Sequence, residues 1–247
     1  MLRLFSNIRQ SMLSGNNTVK YFKYAVGEVL LIMLGIFLAL QLDNWNEDRK
    51  LDQERRQLIE NLKLDFAENI SKLDDSIPGP EKAAEQLNRL LKLAVSKEDQ
   101  VSVEEMRSLF QNLSEGVGYT PSLPSYFSAQ SAGSIEMIED TSLKKLFLEF
   151  DYDVTNFHKM MDIRRHTTFL GPWWELRSMV GAEGVLLHNR FTPEAYQLSD
   201  QEFRDFIVQK EVYARIENYT ILIEIQLQRL KSLRDSSQQI LTALEGL

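Results

Sequence analysis

The sequence predicts an all-α protein in which one N-terminal transmembrane helix continues into a stalk and an antiparallel helical bundle follows outside the membrane. Three observations carry this expectation. Residues 24–42, YAVGEVLLIMLGIFLALQL, form one apolar run whose only charge is Glu28. At roughly 1.5 Å per residue the run spans about 28 Å, close to the hydrocarbon thickness of a bilayer. Residues 45–77 hold neither proline nor glycine, and Ile59, Leu62, Phe66, Ile70, Leu73 and Ile77 recur at helical spacing. Near the C-terminus Val212, Ile216, Tyr219, Ile223, Gln226, Leu230, Leu233, Ser237, Ile240 and Leu244 follow alternating steps of four and three. Eight of these ten are apolar, which is the seam of a helical bundle or coiled coil.

The flanks of the apolar run set its orientation. Arg3, Arg9, Lys20 and Lys23 precede it without a single acid, and Asp43, Glu47 and Asp48 follow it. Basic flanks stay in the cytoplasm, so residues 1–23 are expected inside and residues 43–247 in the periplasm. Within the first segment Leu2, Phe5, Ile8 and Met12 share one helical face, as in a short amphipathic helix on the inner membrane surface. Ser14 to Thr18, with Gly15, make the turn into the span. The run is longer than a signal-peptide core, and Leu38 and Leu40 flank Ala39 where a small-x-small cleavage site would sit. An uncleaved signal anchor is therefore expected.

Beyond the span, residues 43–77 read as the stalk and 80–247 as the bundle. Pro78-Gly79-Pro80 ends the stalk, and Pro80 suits the first turn of a helix over 80–97. Ser102-x-x-Glu105 is a capping-box signature for a helix over 102–113. Residues 114–124, SEGVGYTPSLP, are turn-rich. Helical segments over 125–132 and 139–170 are separated near Gly133. Gly171-Pro172 breaks the second, and 172–180 forms a short helix closed by Gly181. Residues 182–198 read as irregular. Ser199-x-x-Glu202 opens the last helix, which nothing interrupts before Gly246.

Composition narrows the chemistry. The chain has no cysteine, which removes disulfides, thiolate catalysis and cysteine zinc sites. Residues 24–247 carry a net charge of −12, so nucleic acid and anionic lipid are poor partners for the exterior domain. His158, Asp162 and His166 lie at i, i+4 and i+8 on one predicted helix. The two histidines stand about 12 Å apart along its axis, too far for one ion without outside ligands, and a solvated, salt-bridged face accounts for them. Trp173-Trp174 fit a bundle corner closed by large rings. Glu139-Asp140 and Asp151-x-Asp153 lack a partner that would mark acid–base work. No phosphate loop, nucleophile elbow, zinc-protease helix or calcium loop is present. No cofactor, metal or catalytic activity of its own is expected.

On a helical wheel the span has two faces. Tyr24, Gly27, Glu28, Leu31, Gly35, Ala39 and Leu42 lie on one; Val29, Leu30, Met33, Ile36, Phe37 and Leu40 lie on the other. Gly35-x-x-x-Ala39 allows close approach of a second membrane helix, which marks Gly27, Glu28, Leu31, Gly35 and Ala39 as an interface. Glu28 fits a packing or partner contact on that face, an interfacial acid reaching Lys23 or the headgroups, or a proton site. Trp45 suits an interfacial anchor.

The residues Tyr24-Ala25-Val26-Gly27-Glu28, Gly35-Ile36, Ala39-Leu40-Gln41 and Asn44-Trp45-Asn46-Glu47-Asp48-Arg49 are together similar to the N-terminal pattern YAxGE…GIxxALQxxNWNExR. That pattern resembles a family of single-pass inner-membrane proteins of Bacteroidota-type bacteria, classed as a domain of unknown function. Tyr126 to Ile138 also resembles a Tyr…Ser-Ser-Gly…Ile segment, with Ser131-Ala132-Gly133 here. The resemblance implies an inner-membrane location and gives weight to Glu28 and to Asn44, Trp45, Asn46 and Glu47. It implies no activity. The expected function is a membrane-anchored interaction or scaffold protein that self-associates or joins another membrane protein. The alternative is a ligand-sensing or accessory subunit of a larger, proton-driven membrane complex.

Overall fold

The computed structural model describes residues 18–96, 102–111, 119–179 and 198–247. The expected amphipathic segment before residue 18, the ends of the helices predicted to reach 97 and 113, the start of the 114–124 loop, Gly181 and the stretch 182–197 lie outside those residues. Among the described residues every regular element is helical. They are α1 (Thr18–Ser76), α2 (Pro78–Ala94), α3 (Val103–Gln111), α4 (Pro124–Ala132), a single 3₁₀ turn (Ser134–Met137), α5 (Thr141–Phe169), α6 (Pro172–Met179), α7 (Asp200–Ile207) and α8 (Lys210–Glu245). The chain divides into two compact units, 1–57 and 58–247.

In the first unit α1 is long and apolar enough to cross a membrane. From Val26 to Glu54 every residue is exposed, so this stretch is covered by none of the described residues. In the second unit α1 becomes a core helix. Leu62, Phe66, Ile70 and Leu73 are buried, and Ile59 and Ile77 are half-buried beside them.

Every long helix of this unit packs on α8, whose predicted seam is buried at all ten positions from Val212 to Leu244. Cross-helix pairs fix the directions. Asn69 and Asp74 of α1 meet Ser237 at 3.0 Å and Arg234 at 2.7 Å. Glu81 and Asn88 of α2 meet Lys231 at 2.8 Å and Glu224 at 2.9 Å. Asp153 of α5 accepts from Ser232 at 2.9 Å and Ser236 at 2.7 Å, and Arg164 reaches Gln226. Numbers climb on each partner as they fall on α8, so all three run antiparallel to it. The end of α1 and all of α2 therefore lie one after the other along α8. Two apolar clusters result. One joins α1, α4 and α5 to Leu230–Leu244; the other joins α2, α3, α6 and α7 to Val212–Ile223.

The junction between α1 and α2 begins the second helix two residues earlier than the sequence predicts. Ile77 keeps helical dihedrals, its N–H donating to Leu73 O at 2.9 Å and its carbonyl accepting from Glu81 N–H at 3.2 Å. Pro78 and Pro80 lack N–H groups, but a helix's first turn leaves those donors unpaired in any case, so α2 starts at Pro78.

The last helix is not continuous from Ser199. Ser199 and Glu202 form the full capping box, and the Ser199 hydroxyl and N–H hold the Glu202 carboxyl below the usual carboxylate range. That box opens α7 alone, because Gln209 is extended (φ −61°, ψ 132°) and α8 starts afresh at Lys210. Neither proline nor glycine causes the break. Extending the α8 seam backwards would place Gln209 and Asp205 in the core, whereas α7 buries Phe203, Phe206 and Ile207. Separating the helices lets both apolar sets face inward. At α3 only half of the predicted box forms. Ser102 Oγ accepts from Glu105 N–H at 3.2 Å, while the Glu105 carboxylate pairs with Arg89.

Gly133 closes α4 in the left-handed conformation, φ 72°, that glycine adopts without strain. Asp140, one of the acidic pair 139–140, caps α5 by accepting from Leu143 N–H at 2.9 Å. At the centre of the α1 cluster Phe66 packs edge-on against Tyr126 and Phe150, at 5.5 and 5.2 Å between ring centres. Phe66→Ala is expected to cost about 3–5 kcal/mol of stability, whereas Leu64→Ala, at a side chain 71% exposed, is expected to fall within about 0.5 kcal/mol of the parent. Thermal melts of the detergent-solubilised chain followed by circular dichroism distinguish the two.

Candidate functional site

The residues predicted to form a membrane-helix interface all lie on α1. Gly27, Glu28, Leu31, Gly35 and Ala39 are exposed, and so are Asn44, Trp45, Asn46 and Glu47. From Gly27 to Ala39 the face is about 18 Å long. A Cβ placed on Gly27 or Gly35 would meet nothing within 4 Å. Both glycines therefore present bare backbone to whatever surrounds the helix, and no described residue requires them to lack a side chain. Trp45 is 64% exposed. Because Asn44 to Glu47 are consecutive on a helix, they point around it and do not share one face.

The other sequence candidates take structural places. His158, Asp162 and His166 are exposed, and Asp162 pairs with Arg165 at 3.0 Å. Among the described residues no three histidine, cysteine or acidic groups gather where a metal could be held. Trp173 is buried and stacks on Tyr219 at 4.1 Å with the rings 6° from parallel. Its neighbour Trp174 is half exposed, so only one of the two rings closes the corner. Asp151 accepts from the Tyr126 hydroxyl at 2.9 Å and from Gln130, and Asp153 from the two α8 serines.

Besides Thr220, whose hydroxyl donates to Ile216 O of its own helix at 2.9 Å, three buried polar groups escaped the sequence reading. Asp65 sits at the start of α4, where its carboxylate accepts from the backbone N–H of Ser125 at 2.7 Å and of Tyr126 at 3.0 Å. A residue of α1 thus caps another helix, satisfying donors its own first turn leaves unpaired. Asn69 accepts from the Tyr119 hydroxyl at 2.6 Å and donates to Ser237, whose hydroxyl donates to Leu233 O at 2.7 Å. The third is Arg164, 8% exposed, whose Nη1 donates to Oε1 of the fully buried Gln226. These two lie where the apolar clusters meet on α8. Unlike the other two groups, this one is incompletely matched. Three buried side-chain atoms among the described residues lack a partner, Asn156 Nδ2, Thr168 Oγ1 and Gln226 Nε2, and all three are on α5 or α8. A sequence signal existed: Arg164 continues the stripe Phe147, Phe150, Val154, Phe157, Met160 on α5, and a cation on such a stripe is conspicuous.

These features define a helical protein with one candidate membrane span and an exposed glycine-bearing face on it. The chain belongs to the family of unknown function DUF6090, whose model matches residues 28–161, from the acid in the apolar run to the penultimate turns of α5. No curated protein and no solved structure matches the chain. The Arg164–Gln226 pair lies beyond the matched residues.

Burial pushes the phenols of Tyr119 and Tyr126 well above their ordinary 10.0, and the Asp151 carboxylate pushes Tyr126 further. The folded state thus holds these protons more tightly than the unfolded state. Their contribution to stability is complete below pH 10 and is lost as pH climbs above it. The melting temperature is expected to fall steeply above about pH 10, and more gently in Tyr126→Phe, which removes one of the two phenols. A pH series of thermal melts reads this.

Proposed function

We propose that the chain is a single-pass inner-membrane protein, N-terminus inside, whose periplasmic antiparallel bundle is an interaction or scaffold module without catalytic activity of its own. The observation that carries the proposal is the face of Gly27, Glu28, Leu31, Gly35 and Ala39 on a stretch of α1 that is exposed among the described residues. Lipid tails offer helices no hydrophobic reason to associate, so association comes from close packing, which small residues permit. An acid at Glu28 is costly in hydrocarbon and is accommodated by a polar or basic group on a neighbouring helix. The basic residues before the span and the acids after it give the orientation. The acidic exterior domain turns the molecule away from nucleic acid and anionic lipid. The partner is a second copy of the chain or another membrane protein.

Purification of the tagged full-length chain in mild detergent, with mass and composition determined on elution, tests this. A homogeneous homo-oligomer or a stoichiometric second protein is expected; a bare monomer, also in native-lipid discs, overturns the proposal. Gly35→Leu is expected to abolish that assembly and leave the melting temperature of the helical domain unchanged. Glu28→Gln is expected to keep it and Glu28→Leu to lose it. Loss in both variants would instead make the ionisable carboxylate essential and favour a proton-driven complex.

A further inference from the structure

We propose that the groove between α5 and α8 is a binding site for a primary alkylammonium group, received by the carboxylate of Asp153. The groove has a volume of about 450 Å³, with Leu148, Tyr152 and Asp153 of α5 facing Ser236 and Gln239 of α8 across it. Small-ligand sites span roughly 300–1,000 Å³. Leu148 and Tyr152, one helical turn apart, stand 71% and 68% exposed in its wall. The site lies in the 58–247 unit and does not depend on the face of α1 proposed above.

Asp153 is the charge that the groove leaves unbalanced. The other two charged side chains in its wall, Lys145 and Glu149, pair with each other at 3.6 Å. Asp153 takes two hydroxyls on one oxygen, Oδ2, from Ser232 at 2.9 Å and from Ser236 at 2.7 Å. Its Oδ1 accepts from no described residue and is not among the buried atoms without a partner, so it is open to the groove. A neutral amide oxygen would receive the same two hydroxyls, so the serines alone do not call for a charge at 153. The one free oxygen selects the ligand. It cannot meet the fork of a guanidinium in the bidentate manner, whereas an ammonium is a point charge that one acceptor serves. The Tyr152 ring in the same wall attracts a cation. Leu148 and the half-buried Leu146 offer apolar surface to its methylene stem.

Such a group is carried by a free diamine or by a lysine side chain of a protein partner. The test is a titration of the full-length chain in non-ionic detergent with cadaverine and with Nα-acetyl-lysine amide, followed by ligand-observed NMR. Saturable binding of at least one is expected, and the tighter of the two identifies the source. Asp153→Asn keeps an acceptor for both serines while removing the charge. It is expected to melt with the parent and to weaken binding about tenfold or more. Tyr152→Ala, at an exposed ring that the fold does not need, is expected to weaken binding about threefold. Nα-acetyl-arginine amide is expected to bind more weakly than its lysine counterpart. Tighter binding of the arginine compound, equal binding by the parent and both variants, or no saturable binding of either amine overturns the proposal.

Discussion

The stripe of ten residues on α8 is the surface against which the rest of the 58–247 unit is built. An α-helix of 36 residues is about 54 Å long, and this one is covered along one side by α1 and then α2, and along another by α5. Eight apolar positions supply the burial, but apolar knobs alone tolerate a slip of one turn. Ser237 removes that tolerance. Moved by a turn, it would leave Asn69 buried without its acceptor, at a cost of about 1–3 kcal/mol. Gln226 marks the second fixed point, where the two apolar clusters meet.

α1 carries two patterns on one backbone. Over residues 25–42 it is apolar but for Glu28, long and apolar enough to cross a membrane, and its own hydrogen bonds satisfy its peptide groups. From Leu58 it shows a single apolar stripe and a charged remainder, where i,i+3 and i,i+4 ion pairs such as Lys63–Glu60 and Lys72–Glu68 line the wet side. Those pairs each contribute little. The stripe carries the stability.

Much of this was legible in the sequence because periodicity reports burial on one side of a helix. The α8 seam was readable to the residue, and so were Leu62, Phe66, Ile70 and Leu73. What escaped was burial on a second side. Asp65 and Asn69 lie off the predicted stripe of α1, yet they are covered because α1 also touches α4 and the segment at Tyr119. A single stripe cannot announce two neighbours. The break at Val208–Gln209 escaped for a related reason: it follows from a phase difference between two apolar patterns, not from a breaking residue. The face at Gly27, Glu28, Leu31, Gly35 and Ala39 was legible as composition. Among the described residues nothing covers it.

The place of α8 in the chain has a consequence for how the molecule is made. Its partners on α1 are more than 150 residues earlier, as in Asp74 with Arg234 and Asn69 with Ser237. Translation delivers roughly 5–20 residues per second, so α1, α2 and α5 exist for several seconds with their apolar stripes uncovered before the helix they need has been synthesised. Neither apolar cluster can close in the meantime, because each takes part of its wall from α8. Completion of either cluster therefore waits on α8, and the longest-range contacts of the unit are the last that synthesis permits.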